Sequence, residues 1–317
     1  MCVLTNNSAE SLIRLILEGN DTLALRMTGS LRFFLLAVAT ILGGTLIALV
    51  APLKWIPATE GVAFRTASRI AGVWAGVTRT LMKTTRTHFQ IEHPEIDPKG
   101  TYLVIANHRS WIDILVVMMT LGPNTTLPRF FMKWELIYVP VIGLCAWILD
   151  FPIMRRYSAE FLKDHPELKN RDFDYAQRVL RRHPDESCVV VNYAEGTRFS
   201  DEKRQLNRSP YRHLLKPKVG GPQLALDCLR DRLDGIIDMT IAYPGGNLSV
   251  WNLMHNRVPH VIVETQMLTL PEHLQKRPET LQELKAFRAW MNDLWDAKDR
   301  RLDRLLTDTP AGDYTSS

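Results

Sequence analysis

The sequence predicts an α/β domain that follows a membrane-helical segment. Short apolar runs rich in β-branched residues alternate with longer segments of helical spacing, which is typical of α/β folds. Two of these runs, 102–106 and 187–193, end directly in clusters of polar residues. A stretch of 21 uncharged residues, 33–53, precedes both runs. We therefore expect a buried sheet with polar loops at its strand ends, attached to a bilayer.

The composition of the chain indicates which kinds of molecule the protein could bind. The chain has 317 residues, enough to bury the core of one large domain or two small ones, and its net charge of +5 suits an anionic partner. Because long apolar segments accompany that charge, an acidic membrane surface is expected rather than nucleic acid. The sequence contains no glycine-rich nucleotide loop and no His/Cys cluster with metal spacing, so we expect no nucleotide cofactor and no metal. Four cysteines lie far apart and are expected to be buried thiols in a reducing compartment: Cys2, Cys145, Cys188 and Cys228.

The uncharged stretch 33–53 is long enough to cross the apolar core of a bilayer. A cleavable signal peptide is the alternative, but the run is long for one and lacks a small-x-small cleavage site. Gly43 and Gly44 also leave open a re-entrant bend. Basic residues are more numerous after the stretch than before it, which predicts a cytoplasmic (inner) membrane location with the bulk of the chain facing the cytoplasm. Residues 62–82 alternate apolar and basic side chains, as an interfacial helix or a core-facing helix would.

We expect five parts along the chain. They are an N-terminal extension (1–30), a membrane anchor with an interfacial helix (31–86), an α/β domain (87–270), a C-terminal helix (271–306) and a flexible tail (307–317). Further strands are predicted at 89–92, 235–243 and 258–263, and a chain break at Gly220-Gly221-Pro222 precedes a helix through 224–229. Thr280 and Glu283 form a capping box for the C-terminal helix.

The first polar cluster contains a histidine and an aspartate five positions apart. His108 and Asp113 would lie about 140° apart on one helix, so they meet only if the helix begins between them. Ser110 suits an N-cap, which would leave His108 in the preceding loop, free to fold back towards the carboxylate. An imidazole held by a carboxylate keeps one ring nitrogen available as a general base. An ordinary capping box beside a loop histidine explains the same residues.

The second polar cluster, Glu195-Gly196-Thr197-Arg198, follows the second run at the strand end where α/β sheets bind ligands. Gly196 permits a backbone turn that other residues disfavour, and Arg198 carries a planar group suited to a phosphate. A surface turn with an ion pair is the alternative.

Together the two clusters resemble the glycerolipid acyltransferases, the family that includes the 1-acylglycerol-3-phosphate acyltransferases. The family's Asn-His-x-x-x-x-Asp block is matched by Asn107, His108 and Asp113. The last four residues of its Pro-Glu-Gly-Thr-Arg block are matched by residues 195–198. The order of the blocks and their separation of roughly 80 residues also agree with the family.

A third block lies between these two in the family and carries a substrate-binding arginine. Arg156 is the better match for it and Arg155 the alternate. The chain departs from the family at Ala194, where proline is usual, and at 236–244, where the proline of the family's later Val-Pro block is displaced. The second departure leaves the acyl-donor side of the site poorly assigned.

The resemblance implies a mixed sheet flanked by helices and a membrane-bound enzyme. It would move a fatty acyl group from acyl-CoA or an acylated carrier protein to the free hydroxyl of a lysophospholipid, with lysophosphatidic acid as the expected acceptor. His108 would act as general base and Asp113 would orient it. Arg156 and Arg198 would hold the acceptor phosphate, and Glu195, Gly196 and Thr197 would shape that substrate-binding pocket. The apolar run 136–149 would be buried core or a wall of an acyl-chain channel.

Three alternatives remain open from the sequence. The acceptor could be another lysophospholipid. A lysolipid hydrolase would use His108 to activate water or Ser110. A membrane adaptor with an inactive acyltransferase fold would not need the motif residues at all, and their presence argues against it.

Overall fold

The computed structural model describes residues 28–308 except 123, 124, 140, 156, 158, 159, 169, 184, 185 and 279. The expected substrate arginine Arg156, nearly all of the predicted N-terminal extension and most of the predicted tail therefore lie outside the described residues. Cys145, Cys188 and Cys228 are described and are free thiols, with Cys188 and Cys228 buried and Cys145 half-buried. Cys2 also lies outside the described part.

Strands and helices alternate along most of the described chain, as predicted. The strands are β1 (His88–Ile91), β2 (Thr101–Ala106), β3 (Arg129–Phe130), β4 (Met132–Lys133), β5 (Ile153–Met154), β6 (Cys188–Tyr193), β7 (Gly235–Ala242) and β8 (His260–Leu268). The α-helices are α1 (Gly29–Val50), α2 (Glu60–Lys83), α3 (Ile112–Leu121), α4 (Ile142–Ile148), α5 (Phe161–Asp164), α6 (Arg171–Leu180), α7 (Asp201–Leu206), α8 (Gly220–Leu229), α9 (Val250–Met254) and α10 (Leu281–Asp308).

The central sheet has six strands in the order β1-β8-β7-β2-β6-β3. Its pairs are parallel except for β7 and β8, so the mixed sheet implied by the family resemblance is confirmed. Every residue of β2 is buried because helices cover both faces of this central strand, which explains its continuous apolar sequence. Since β2 pairs in parallel with both β6 and β7, the carboxyl ends of these three strands lie side by side.

Helix α1 is continuous through Gly43 and Gly44, so the re-entrant bend does not occur. With the 3₁₀ turn that follows it, α1 is, within the described part of the chain, the single helix long and apolar enough to cross a membrane. One side packs on the protein: Trp74 of α2 donates its indole N–H to Thr40 at 3.0 Å, and Ile47 is buried. The other side exposes large apolar residues such as Ile41 and Leu49.

A buried cation joins each end of α1 to the rest of the structure. At the N-terminal end, Arg32 donates to the carbonyl oxygens of Thr84 and Met254 at 2.8 and 3.0 Å. At the C-terminal end, Lys54 donates to Asp150 Oδ1 at 2.8 Å and to the carbonyl of Ile148 at 3.1 Å. Because these side chains are almost fully buried, α1 is held as a component of the domain and not as a tethered anchor.

Three features of the fold differ from the sequence predictions. The two-residue strands β3, β4 and β5 were not predicted because such short segments have no measurable periodicity. Gly220-Gly221-Pro222 does not break the chain but forms the first turn of α8, where a missing proline N–H costs nothing. Strand β8 continues five residues past the predicted end because its polar part pairs with β7. The capping box is confirmed, since Thr280 and Glu283 exchange hydrogen bonds of 3.0 and 3.2 Å.

We predict that Asp150→Asn destabilises the protein by about 3 kcal/mol, because it leaves Lys54 buried without its counter-charge. Asp150 also accepts hydrogen bonds from Arg182 and His183. Burial alone would raise the pKa of Asp150, but the effects of His183 and Lys54 are larger together and lower this pKa below its ordinary value. Urea unfolding in detergent measures the effect. Asp231→Asn is the matched control, because Asp231 pairs with Arg181 at the surface and its loss should cost less than about 1 kcal/mol. Equal losses in the two variants would contradict the structural role of Asp150.

Candidate active site

The polar loops that follow β2, β6 and β7 meet at one edge of the sheet. Asn107 links two of them, because its side-chain amide donates to the carbonyl of Ile241 at 2.9 Å and accepts from the N–H of the same residue at 2.8 Å. The amide thus continues the pairing of β2 with β7 beyond the last backbone contact. Asparagine is suited to this position because one side chain supplies both a donor and an acceptor.

His108 and Asp113 meet as the motif predicts. His108 Nδ1 lies 2.7 Å from Asp113 Oδ2, and Asp113 is fully buried while part of the imidazole remains exposed. With Nδ1 donating to the carboxylate, Nε2 is left as the proton acceptor. The contact is the geometry that a general base requires.

The local structure differs from the prediction in one respect, the identity of the helix cap. Helix α3 begins at Ile112, and the Ser110 hydroxyl donates to the carbonyl of Leu248 at 3.1 Å. Asp113 reaches back instead, and its Oδ2 accepts the N–H groups of Arg109 and Ser110 at 2.6 and 2.9 Å. The carboxylate therefore fixes the loop that carries His108 as well as the imidazole itself.

Two tyrosines complete the surroundings of this pair, and the sequence interpretation missed both. The Tyr243 hydroxyl donates to Asp113 Oδ1 at 2.5 Å. The Tyr193 ring stacks on the His108 imidazole, with centroids 4.1 Å apart and an interplanar angle of 12°. The available signal was position, because each tyrosine lies at the carboxyl end of a predicted strand next to β2.

Glu195 holds loops together beneath the histidine. Its buried carboxylate accepts the N–H of His108 and the N–H of Leu215, both at 2.8 Å. Burial raises the pKa of Glu195 to about 7, against the opposing effect of these two donors. Gly196 follows with φ of +69°, a left-handed conformation that favours glycine. Both residues thus define the shape of the loop after β6.

Thr197 and Arg198 form the outer part of the same loop. Lys203 donates to the Thr197 hydroxyl at 3.0 Å and to the Arg198 carbonyl at 2.9 Å. The Arg198 guanidinium is exposed and lies 5.2 Å from the ring centre of Trp111, two residues before Asp113. The structure therefore brings Arg198 to the rim of the histidine loop, where its donors face solvent.

Arg155, the alternate for the intermediate block, packs on an aromatic ring. Its guanidinium lies 4.0 Å from the ring centre of Trp134, and its backbone N–H donates to Asp172 at 3.1 Å. Its role in substrate binding stays a prediction, as does that of Arg156.

An apolar cavity of about 440 Å³ extends from Trp111 between helices α1, α2, α3 and α4. It follows α1 from Leu36 to Ile47, a length of about 16 Å along the helix axis. The run 136–149 serves both as buried core, through Ile148 and Leu149, and as a cavity wall, since it contributes Leu136, Cys145 and Ala146 to the lining.

Known proteins resemble this chain over its central part. Residues 86–244 match the family model described as Acyltransferase. The mouse 1-acyl-sn-glycerol-3-phosphate acyltransferase epsilon is 22% identical over 219 residues, covering 64% of this chain and 58% of the relative. The Arabidopsis thaliana 1-acyl-sn-glycerol-3-phosphate acyltransferase 3 is 27% identical over 234 residues, covering 67% and 56%. The human gamma enzyme is 27% identical over 214 residues, covering 62% and 51%.

The chain thus spans a little over half the length of these curated relatives. The crystal structure of the 1-acyl-sn-glycerophosphate acyltransferase PlsC from Thermotoga maritima overlaps 88% of this chain and 98% of that one, with a TM-score of 0.48 and 16% identity.

We predict that Glu195→Gln removes a pH dependence of stability. Because the pKa of Glu195 is raised from 4.5 to about 7 in the folded protein, its protonated form contributes stability that is fully present below pH 4.5 and is lost as the pH rises to about 7. The total is about 3 kcal/mol. The unfolding free energy of wild type minus that of the variant should therefore fall by about this amount from pH 4.5 to 8.

Urea unfolding at several pH values measures this difference. Glu264→Gln is the control, because Glu264 is only partly buried and pairs with Arg304 at the surface. A wild-type-minus-Glu195→Gln difference that stays constant with pH would show that Glu195 does not titrate in this range.

Proposed function

This chain belongs to the acyltransferase family, and from that membership we propose that it esterifies the free hydroxyl of a lysophospholipid, with lysophosphatidic acid as the acceptor and an acyl thioester as the donor. The observation that supports this most directly is the position of His108. His108 precedes Trp111 by three residues, and the Trp111 ring both lies 5.2 Å from the exposed Arg198 guanidinium and lines the apolar cavity. An acceptor with an anionic headgroup and a donor with an apolar chain fit these surroundings.

In the proposed reaction His108 acts as general base. Its Nε2 takes the proton of the acceptor hydroxyl as the oxygen attacks the thioester carbonyl, and Asp113 stabilises the positive imidazole. The carbon–sulfur bond then breaks, and the imidazole returns the proton to the departing thiolate. Direct transfer needs no covalent acyl-enzyme. Base catalysis of this kind contributes roughly 10² to 10⁴ in rate, so positioning must supply the rest.

The acceptor phosphate is proposed to bind the basic side of the site. Arg198 presents its guanidinium on the exposed rim, and a planar guanidinium binds two phosphate oxygens at once. Lys203 holds the backbone of Arg198 in place by donating to its carbonyl and to the Thr197 hydroxyl. Arg156 is the second proposed ligand, carried over from the family resemblance.

The acyl chain is proposed to occupy the cavity between the helices. The lining is almost entirely apolar, so an extended acyl chain would replace no hydrogen bonds there. Since α1 supplies one wall of the cavity and exposes its other side, we propose that α1 lies in the membrane, with the site on the cytoplasmic side. Lipid acceptors would then reach His108 without crossing water.

We predict that His108→Ala lowers acyl transfer by at least 10²-fold, because it removes the base. The assay uses purified protein in liposomes with a panel of lysophospholipids, labelled oleoyl-CoA and an acylated carrier protein, and measures diacyl product. His273→Ala is the control, because His273 is exposed and far along the chain from the site.

Each outcome of this assay is informative. Product from lysophosphatidic acid alone would support the proposed acceptor, whereas product from another headgroup would replace it. Release of free fatty acid from the lysolipid without a thioester would show a hydrolase. Transfer that persists in His108→Ala would contradict the proposed base.

We predict that Gly43→Leu shifts the preference towards shorter acyl chains. Gly43 lines the cavity, and a Cβ built there approaches no atom of Trp74 closer than 3.8 Å, so the branch point of a larger side chain meets no clash and its remaining atoms would take up cavity volume. A competition assay with acyl-CoA donors of different lengths measures the shift. Gly72→Leu on α2 makes the same change into open space and should leave the preference unaltered. An unchanged preference in Gly43→Leu would place the acyl chain elsewhere.

A further inference from the structure

Tyr243 directly follows β7, the strand that neighbours β2 on the side opposite β6, and it lies in the segment 236–244, which has no clean counterpart to the family's later Val-Pro block. We propose that Tyr243 is a positioning residue for the proposed transfer reaction: its hydroxyl holds Asp113 Oδ1, which keeps Oδ2 directed at His108. This inference rests on the proposed function. The following observations carry it.

The first observation is the number of donors around the carboxylate. Asp113 Oδ2 accepts from His108 and from two backbone N–H groups, whereas Tyr243 supplies the one hydrogen bond that the described residues give to Oδ1. Asp113 is 0% exposed, so water does not reach Oδ1 in this structure. Without the hydroxyl, a charged oxygen would be buried unsatisfied, and the carboxylate would be free to rotate towards another donor.

The second observation is that the backbone fixes Tyr243 relative to the histidine loop. Asn107 clamps both polar groups of Ile241, two residues before Tyr243, and His108 follows Asn107 directly. The same side chain therefore sets the distance between the loop that carries the base and the strand that carries the tyrosine. Because Tyr243 is 6% exposed, its ring has little freedom to move away from Asp113.

The third observation is that Tyr243 stays a donor at all assay pH values. Burial, then the charge and the hydrogen bond of Asp113, raise the pKa of Tyr243 well above 10. Tyr193 from the end of β6 also raises this pKa, and Arg109 from the loop after β2 lowers it. Burial lowers the pKa of Arg109 itself, and the nearby charges of Glu195 and Asp201 raise it. All these groups are unchanged when only the hydroxyl is removed.

Tyr243→Phe is therefore expected to lower kcat by about tenfold to hundredfold, the range expected for one hydrogen bond to a charged group, with KM within about twofold of wild type. The acid limb of the pH profile of kcat should move to higher pH by about half a unit. The reason is that negative charge, no longer shared with the tyrosine hydroxyl, concentrates on Oδ2 and favours the protonated imidazole.

Tyr102→Phe is the matched control. Tyr102 is also 6% exposed, and its hydroxyl accepts a hydrogen bond from the N–H of Asp97 at 2.9 Å, away from the site. This variant loses an equally buried hydroxyl, so it should leave kcat and the pH profile unchanged. A Tyr243→Phe enzyme that behaves like Tyr102→Phe would overturn the proposal.

A second replacement preserves the shape of the side chain and protects the test against misfolding. Site-specific exchange of Tyr243 for 3-fluorotyrosine keeps the ring and makes the hydroxyl a stronger donor. The acid limb should then move to lower pH, opposite to Tyr243→Phe, and a shift in the same direction or none would overturn the proposal. These comparisons need an active wild type, so absence of all transfer by wild type would instead refute the proposed function.

Discussion

The parallel pairing of β2 with both β6 and β7 is the constraint on which the candidate site depends. It places three loops from distant parts of the chain at one edge of the sheet, and side chains then extend the pairing past the strand ends. Asn107 continues the contact of β2 with β7, and Glu195 joins the histidine loop to the loop after β6 and to Leu215. The position of His108 is thus set by buried hydrogen bonds between these side chains and the backbone.

The sequence predicted correctly those features that depend on the preferences of residues close together in the chain. The buried strands, the capping box at Thr280, and the meeting of His108 with Asp113 followed from periodicity, capping preferences and motif spacing. The functional assignment came from the family resemblance, which the match over residues 86–244 confirms at the level of the family.

The remaining features depend on contacts between residues far apart in the chain. The predicted cap at Ser110 was wrong because the N-cap position is occupied by Trp111. The Ser110 hydroxyl donates to Leu248, 138 positions away, and the partnership of Tyr243 with Asp113 spans 130 positions. Contacts between residues so far apart in the sequence leave no pattern in the residues next to either partner. The displaced proline near 244 looked like a poor match to the family, yet the tyrosine before it is the residue that contacts the site.

Helix α1 has two surfaces with different environments, one packed on the domain and one exposed. Its inner surface is part of the cavity wall, and buried cations fix both of its ends. In the proposed function, attachment to the bilayer and binding of the acyl chain would therefore depend on the same 22 residues. A version made by deleting this helix would lose one wall of the cavity proposed to hold the acyl chain, and substitutions on its inner surface would change which acyl chains that cavity accepts.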